Sequence, residues 1–203
     1  MSHPTSSPKF NVIYADPPWN YRTWSTGPTQ KAPGHRPLVR PLPYPTMRTQ
    51  DICSLSVPDI CATDSVLFLW ATYPMLPDAL EVMKAWGFQF KTVAFTWAKQ
   101  NPSGTGFSMG LGYWTRANPE ICLLGTMGRP RRQRADVKNL VISPRREHSR
   151  KPDEIRDSNV ALCGDLPRVE LFARQVTPGW NVWGNEVPTE IALTSAKQAA
   201  PSR

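Results

Sequence analysis

An apolar run of six residues, Phe10–Ala15, ends on Asp16-Pro17-Pro18-Trp19. No other feature restricts the fold of this chain so strongly. The run is rich in β-branched and aromatic residues and is closed by two prolines, so it reads as a buried strand that stops abruptly. In an open α/β sheet, ligands bind at the carboxyl ends of the strands. A carboxylate, a stiff carbonyl-bearing turn and an indole are therefore delivered together to that edge.

The rest of the pattern extends this start into an α/β architecture. Residues 66–71 read as a second buried strand. A helix follows, with Pro77 in its first turn, an apolar stripe at Leu76, Ala79, Leu80 and Met83, and Gly87 as its stop. Further strands are expected at 88–97, 120–124, 140–142, 169–173 and 181–183, with a short helix within 49–60 and another over 151–163. Strands interleaved with a few helices predict a mostly parallel sheet between helical layers, with an antiparallel edge around residues 120–142. Residues 20–45 carry Gly, Pro, Thr and Arg without periodicity and read as a long loop, of the kind that is functional or disordered in compact domains. Residues 104–113 read as a glycine-rich loop. The 203 residues suit one domain, placed at 9–187 with flexible tails at 1–8 and 188–203.

Cysteines 53, 61, 122 and 163 form no CxxC pair and the three histidines are scattered. No metal site is expected. The polar, proline-rich start has no signal-peptide pattern. No apolar stretch is long enough to span a bilayer. The expectation is a soluble, intracellular, cytoplasmic protein with no membrane partner.

Asp16-Pro17-Pro18-Trp19 has the parts needed to hold a planar base by its exocyclic amine. That amine is a poor nucleophile because its lone pair is delocalised into the ring, and it must become more tetrahedral to attack. Asp16 can accept one N–H and the carbonyl of Pro17 the other, with both proline rings stiffening the turn. Trp19 can stack on the base, a contact worth roughly 1–3 kcal/mol. A methyl sulfonium in line beyond the nitrogen completes the chemistry, since its transfer needs orientation and no metal. The same turn can also end a strand with Trp19 packed in the core.

The ordered blocks Tyr14-Ala15-Asp16-Pro17-Pro18-Trp19, Pro43-Tyr44-Pro45-Thr46-Met47, Leu67-Phe68-Leu69-Trp70, Arg150-Lys151-Pro152-Asp153-Glu154, Val169-Glu170-Leu171-Phe172-Ala173-Arg174, Trp180 and Gly184-Asn185-Glu186 resemble the MT-A70 family of adenine-N6 methyltransferases. The resemblance spans nearly the whole chain. It implies a Rossmann-like methyltransferase domain using S-adenosyl-L-methionine. It implies that Asp16, Pro17, Pro18 and Trp19 form the catalytic turn, with Asp16 and Pro17 also touching the cofactor. By the same resemblance Tyr44 lies in a loop that closes on the acceptor base. Lys151 pairs with the cofactor's methionine carboxylate. Glu170, Phe172 and Arg174 line the ribose region, and Asn185 and Glu186 bond the ribose and adenine. The chain departs from the eukaryotic members in a longer, more basic loop between Trp19 and Tyr44, in Glu186 where they have Gln, in a shorter stretch from Arg174 to Trp180, and in a start just before the catalytic strand.

The net charge is +8, which points to a polyanionic partner, most often nucleic acid. The charge collects in three loops. Arg129, Arg131, Arg132 and Arg134 occupy one. Arg145, Arg146, Arg150 and Lys151 occupy a second. Arg22, Lys31, Arg36 and Arg40 occupy the first long loop. Loops at the carboxyl edge would surround the pocket and grip phosphates. The leading expectation is adenine-N6 methylation of DNA, with base flipping in a duplex. The alternatives are RNA as the carrier, cytosine-N4 as the acceptor, and a non-catalytic nucleic-acid-binding partner. The oligomeric state is left open.

Overall fold

The computed structural model describes residues 8–20, 23–24, 39–40, 45–110, 114–147, 150–188 and 191–194. Tyr44, Arg22, Lys31 and Arg36 lie outside the described residues, and Arg40 is described only in its backbone.

Seven strands form one sheet: β1 (Phe10–Ala15), β4 (Cys61–Ala71), β5 (Gln89–Gln100), β6 (Glu120–Met127), β7 (Leu140–Pro144), β8 (Arg168–Leu171) and β9 (Asn181–Trp183). A separate two-stranded pair consists of β2 (Thr23–Trp24) and β3 (Val39–Arg40). The order across the large sheet is β7-β5-β6-β4-β1-β8-β9. All neighbours in it are parallel except β6, which runs against both β4 and β5. The sheet is therefore mostly parallel, as expected. Its antiparallel strand lies inside the sheet, and the margin beside β5 is the parallel strand β7.

Helices cover both faces, which is why β1 from Val12 to Ala15 and β4 from Val66 to Ala71 are continuously apolar. Ile13, Ala15, Leu67 and Leu69 point to one face. They pack there with Ile52 of α1 (Thr49–Cys53) and with Ala79, Val82 and Met83 of α2 (Leu76–Ala85). Val12, Tyr14, Phe68 and Trp70 point to the other face, against Ile155 and Cys163 of α3 (Glu154–Cys163). The period of two along each strand sends alternate side chains to opposite cores.

The helix α2 matches the expected stripe except at Leu80, which is more than a third exposed, while Val82 is fully buried. Its end is a Schellman motif: the amide of Phe88 donates to the carbonyl of Met83 and that of Gly87 to Lys84. Gly87 takes φ +77° to make this turn. No helix of the described residues is long and apolar enough to cross a membrane.

The register aligns the strand ends that matter. Ala15 pairs with Leu69 on one side and Leu171 on the other. The chain leaves β1 for the side of β4 and returns from α3 to the side of β8. The end of β1 is thus a topological switch point, where an open sheet parts to admit a ligand.

Candidate active site

The turn after β1 is fixed by its own backbone and by Trp19. The amide of Trp19 donates to the carbonyl of Pro17 at 2.8 Å, and the amide of Met47 donates to that of Pro18 at 2.9 Å. The indole nitrogen of Trp19 donates to the carbonyl of Trp70 at 2.9 Å. Trp19 is 4% exposed and belongs to the core. In this conformation its indole anchors the turn and offers no open face to a base.

Asp16 is half-buried at the wall of a cavity of about 690 Å³. Lys151 donates to both of its carboxylate oxygens, at 2.9 and 2.7 Å. The same ammonium lies 3.2 Å from Glu120, which also pairs with Lys99. Two cations and two carboxylates therefore alternate in the order Lys99, Glu120, Lys151, Asp16. Lys151 also stands over the ring of Trp70, 5.4 Å from its centroid.

Position within this row sets each proton affinity. Burial lifts the Asp16 carboxyl above its ordinary value, and Lys151 offsets only part of that rise. Burial also pushes Glu120 upward, but Lys151 and Lys99 together outweigh it and hold Glu120 below the usual value. Lys151 is disfavoured as a cation by burial, yet Asp16 and Glu120 raise it above an ordinary lysine.

Lys151 can reach Asp16 because it precedes α3. The helix begins at Glu154, three residues later than the sequence suggested. Asp153 stands at its N-cap without capping it. Its carboxylate is taken by Arg146, Arg150 and Arg156 instead. Arg156 in turn grips Glu170 bidentately at 2.7 and 2.6 Å, with both side chains buried. Burial raises the Glu170 carboxyl above its ordinary value, with Arg156 opposing.

The cavity wall next to Asp16 comes from the end of β8, whose Leu171 pairs with Ala15. Phe172 lines it with φ +61°, in the left-handed region that bulky residues rarely occupy. Strain of this kind persists where the surroundings impose it, and it gathers at binding sites. The imposing contact is the strand pair beside it: the amide of Ala173 donates to the carbonyl of Trp183 at 2.9 Å. Gly184 lies so close that a Cβ there would meet the Ala173 carbonyl oxygen at 2.2 Å. Glu186 and Arg174 line the cavity and approach each other at 3.7 Å. Asn185 is exposed beside Glu186.

Asp16, Lys151, Glu170, Phe172, Arg174 and Glu186 thus surround one cavity. Pro17, Pro18 and Trp19 border a small hollow of about 30 Å³ on the other side of Asp16. The hydroxyl of Thr72 also borders that hollow, buried and without a hydrogen-bond partner among the described residues. Sequence reasoning missed Glu120, Lys99, Thr72 and Arg156. Only the placement of a charge at the mouth of an apolar run, as with Glu120, could have hinted at one of them.

The basic loops divide. Arg145 and Arg146 follow β7, which runs parallel to β5, with Gln100 opposite Pro144. They therefore emerge at the carboxyl edge, where Arg146 and Arg150 line the cavity. Arg129, Arg131, Arg132 and Arg134 follow β6, and β6 runs the other way. Met127 pairs with Ser65, and the amide of Arg129 donates to the Asp64 carboxylate at 2.7 Å. The loop lies roughly 20 Å from the turn, counting seven residues of β4 at about 3.3 Å each. The expectation that this loop surrounds the pocket is therefore corrected: the reversed strand carries it to the opposite edge.

The cavity suits S-adenosyl-L-methionine. A volume of about 690 Å³ lies within the range of cofactor sites. Cations at Arg146, Arg150 and Lys151 can meet a carboxylate, Glu186 and Glu170 can accept from hydroxyls or an ammonium, and Phe172 offers a ring.

A Rossmann-like sheet that opens such a cavity at its carboxyl edge, beside a rigid carboxylate turn, defines a methyltransferase fold. Residues 10–186 match the family model described as MT-A70, and the chain belongs to this family, whose methyltransferases use S-adenosyl-L-methionine. It is 35% identical to the type II methyltransferase M.MunI of a Mycoplasma species, over 89% of this chain and 78% of that protein. It is 29% identical to the human N(6)-adenosine-methyltransferase catalytic subunit METTL3, over 88% of this chain and 28% of that protein. It is 30% identical to the N(6)-adenosine-methyltransferase MT-A70-like of Arabidopsis thaliana, over 88% and 24%. The chain thus spans about a quarter of the length of these two plant and human relatives.

Proposed function

We propose that this chain methylates the N6 amine of adenine in DNA, acting as a single methyltransferase domain over residues 9–187. The observation that carries the reading is the carboxylate of Asp16, set in the cavity wall and oriented through both oxygens by Lys151.

The residues divide the work as follows. Asp16 accepts one N–H of the amine and the Pro17 carbonyl accepts the other. That carbonyl already receives the Trp19 amide and keeps a second lone pair for this bond. Trp19 holds the turn to Trp70, and the two prolines remove its slack. Arg146, Arg150 and Lys151 would hold the carboxylate end of the cofactor, and Glu186 with Asn185 would hold its ribose. Phe172 would pack on its apolar middle, and Glu170 braces that wall through Arg156. When bound, S-adenosyl-L-methionine supplies an electrophilic methyl group on sulfonium. The amine nitrogen would gain that carbon as the carbon–sulfur bond breaks, the sulfur leaving as a neutral thioether, and would give up one proton. Asp16, lifted above the ordinary carboxylate range, is placed to take it.

DNA is favoured as the carrier by likeness to a type II methyltransferase over most of that protein's length. The positive charge of the chain suits either nucleic acid. The test is incubation with methyl-labelled S-adenosyl-L-methionine and unmethylated DNA or RNA, followed by nucleoside mass spectrometry. The expected product is labelled N6-methyl-2′-deoxyadenosine. Label confined to ribonucleosides, or to N4-methyl-2′-deoxycytidine, contradicts the proposal.

A further inference from the structure

Residues 101–110 and 114–119, between β5 and β6, form an arm at the carboxyl edge whose base adjoins the row of Lys99, Glu120, Lys151 and Asp16. Glu120, the first residue of β6, pairs with Trp97 in the sheet and bonds Lys99 and Lys151 through its side chain. The arm is built rather than loose. The amide of Ser108 donates to the Lys99 carbonyl at 2.8 Å, and the Asn118 side chain donates to the carbonyls of Lys99 and Ser108. Further out, the Gly110 amide donates to Ala117 at 2.6 Å.

This anchored arm carries the most exposed large apolar side chain of the described residues. Trp114 is 94% exposed, Met109 74% and Phe107 59%. Single exposed apolar residues are ordinary, but three on one arm beside an active site mark a contact surface. The charge around them selects the partner. Arg116 is exposed two residues from Trp114. Arg145, whose amide donates to the Gln100 carbonyl at 3.0 Å, stands at the arm's base. An aromatic side chain among arginines fits stacked bases and phosphates, not an apolar protein face.

We propose that Trp114 is a wedge that enters the base stack and fills the gap left when the target adenine swings out to Asp16. This rests on the reading of the chain as a DNA methyltransferase. The amine is paired and stacked within a duplex, so the base must leave the helix to reach the turn. Unstacking is opposed by lost base contacts, and an inserted apolar side chain replaces them. Trp114 supplies a flat ring for this, and Phe107 and Met109 supply further apolar surface on the same arm.

The test compares W114A and W114F with wild type on the same unmethylated genomic DNA, native and heat-denatured. Trp114 lies outside the core, so neither change disturbs the fold. W114A is expected to methylate native DNA about tenfold more slowly or worse, the lower end of what one stacking contact supplies. On denatured DNA it stays within about threefold of wild type, because no helix need be opened. W114F restores most of the loss. Permanganate, which oxidises unstacked thymines, gives a readout independent of methyl transfer. Wild type should make partner thymines reactive in native DNA and W114A should not. Equal losses on both forms of DNA, no loss on native DNA, or a changed sedimentation coefficient for W114A alone overturns the wedge. The last result would make the arm a contact between copies of this chain. Wild type that methylates neither form of DNA overturns the functional reading, and the permanganate pattern then still decides the role of Trp114.

Discussion

The ammonium of Lys151 meets both carboxylate oxygens of Asp16, at 2.9 and 2.7 Å, from 135 residues away in sequence. It is itself steadied by Glu120 at 3.2 Å. The arrangement sets the direction of the Asp16 carboxylate and moderates its proton affinity. A half-buried acid without that cation would hold its proton more tightly.

Lys151→Met should therefore move the acid limb of the pH–rate profile upward. Burial already raises Asp16, and Lys151 is the largest influence lowering it. Removing the cation raises it further, so activity is lost at a higher pH than in wild type. The profile of kcat/KM against pH checks this. An acid limb that stays in place would separate Lys151 from the control of Asp16.

Glu120→Gln should cost stability in a pH-dependent way. Glu120 is held below its ordinary value of 4.5. Its ionised form therefore contributes stability above that pH, and the contribution fades as pH falls through the lowered value. The stability difference between wild type and E120Q, from urea unfolding at several pH values, should be largest near neutrality and should shrink below about pH 4.

Arg156→Ala leaves Glu170 buried and without its bidentate partner. Breaking a buried pair from one side costs about 3–5 kcal/mol. Denaturant unfolding should show this loss, and Arg156→Ala with Glu170→Ala together should recover part of it.

The two arginine loops should differ in their effect on DNA binding. Arg145 emerges at the carboxyl edge, and Arg145→Ala should lower the slope of log affinity against log salt by about one unit. The quadruple change of Arg129, Arg131, Arg132 and Arg134 alters a loop at the opposite edge. It should leave the slope within about half a unit of wild type. Titrations at several salt concentrations check both.

The strand end and the turn at Asp16–Trp19 were legible in the sequence because their information is local. A β-run, an acid and two prolines dictate a strand end wherever the chain goes. The two faces of the core were legible for the same reason, through the apolar continuity of β1 and β4. The placement of residues 129–134 was not. A strand's residues carry no mark of its direction, and β6 was free to run either way until its pairing with Ser65–Ala71 was known. Glu120 reads in the sequence as the ordinary polar start of a strand. It acquires meaning only when Lys99 and Lys151 converge on it from other elements. Trp19 was an open choice between stacking and packing, and the acceptor at the Trp70 carbonyl, fifty-one residues on, decides its position.

The most direct test of the account is the single-turnover rate of Asp16→Asn on DNA, with cofactor affinity measured by calorimetry on the same preparation. Asn keeps the size of the side chain and removes the charge that accepts the amine proton. The account predicts a rate lower by about 10²–10⁴, the usual range for loss of a positioned acid–base group, with S-adenosyl-L-methionine affinity within about tenfold of wild type. A rate within about tenfold of wild type, at unchanged affinity, would contradict the role of Asp16 in the transfer step.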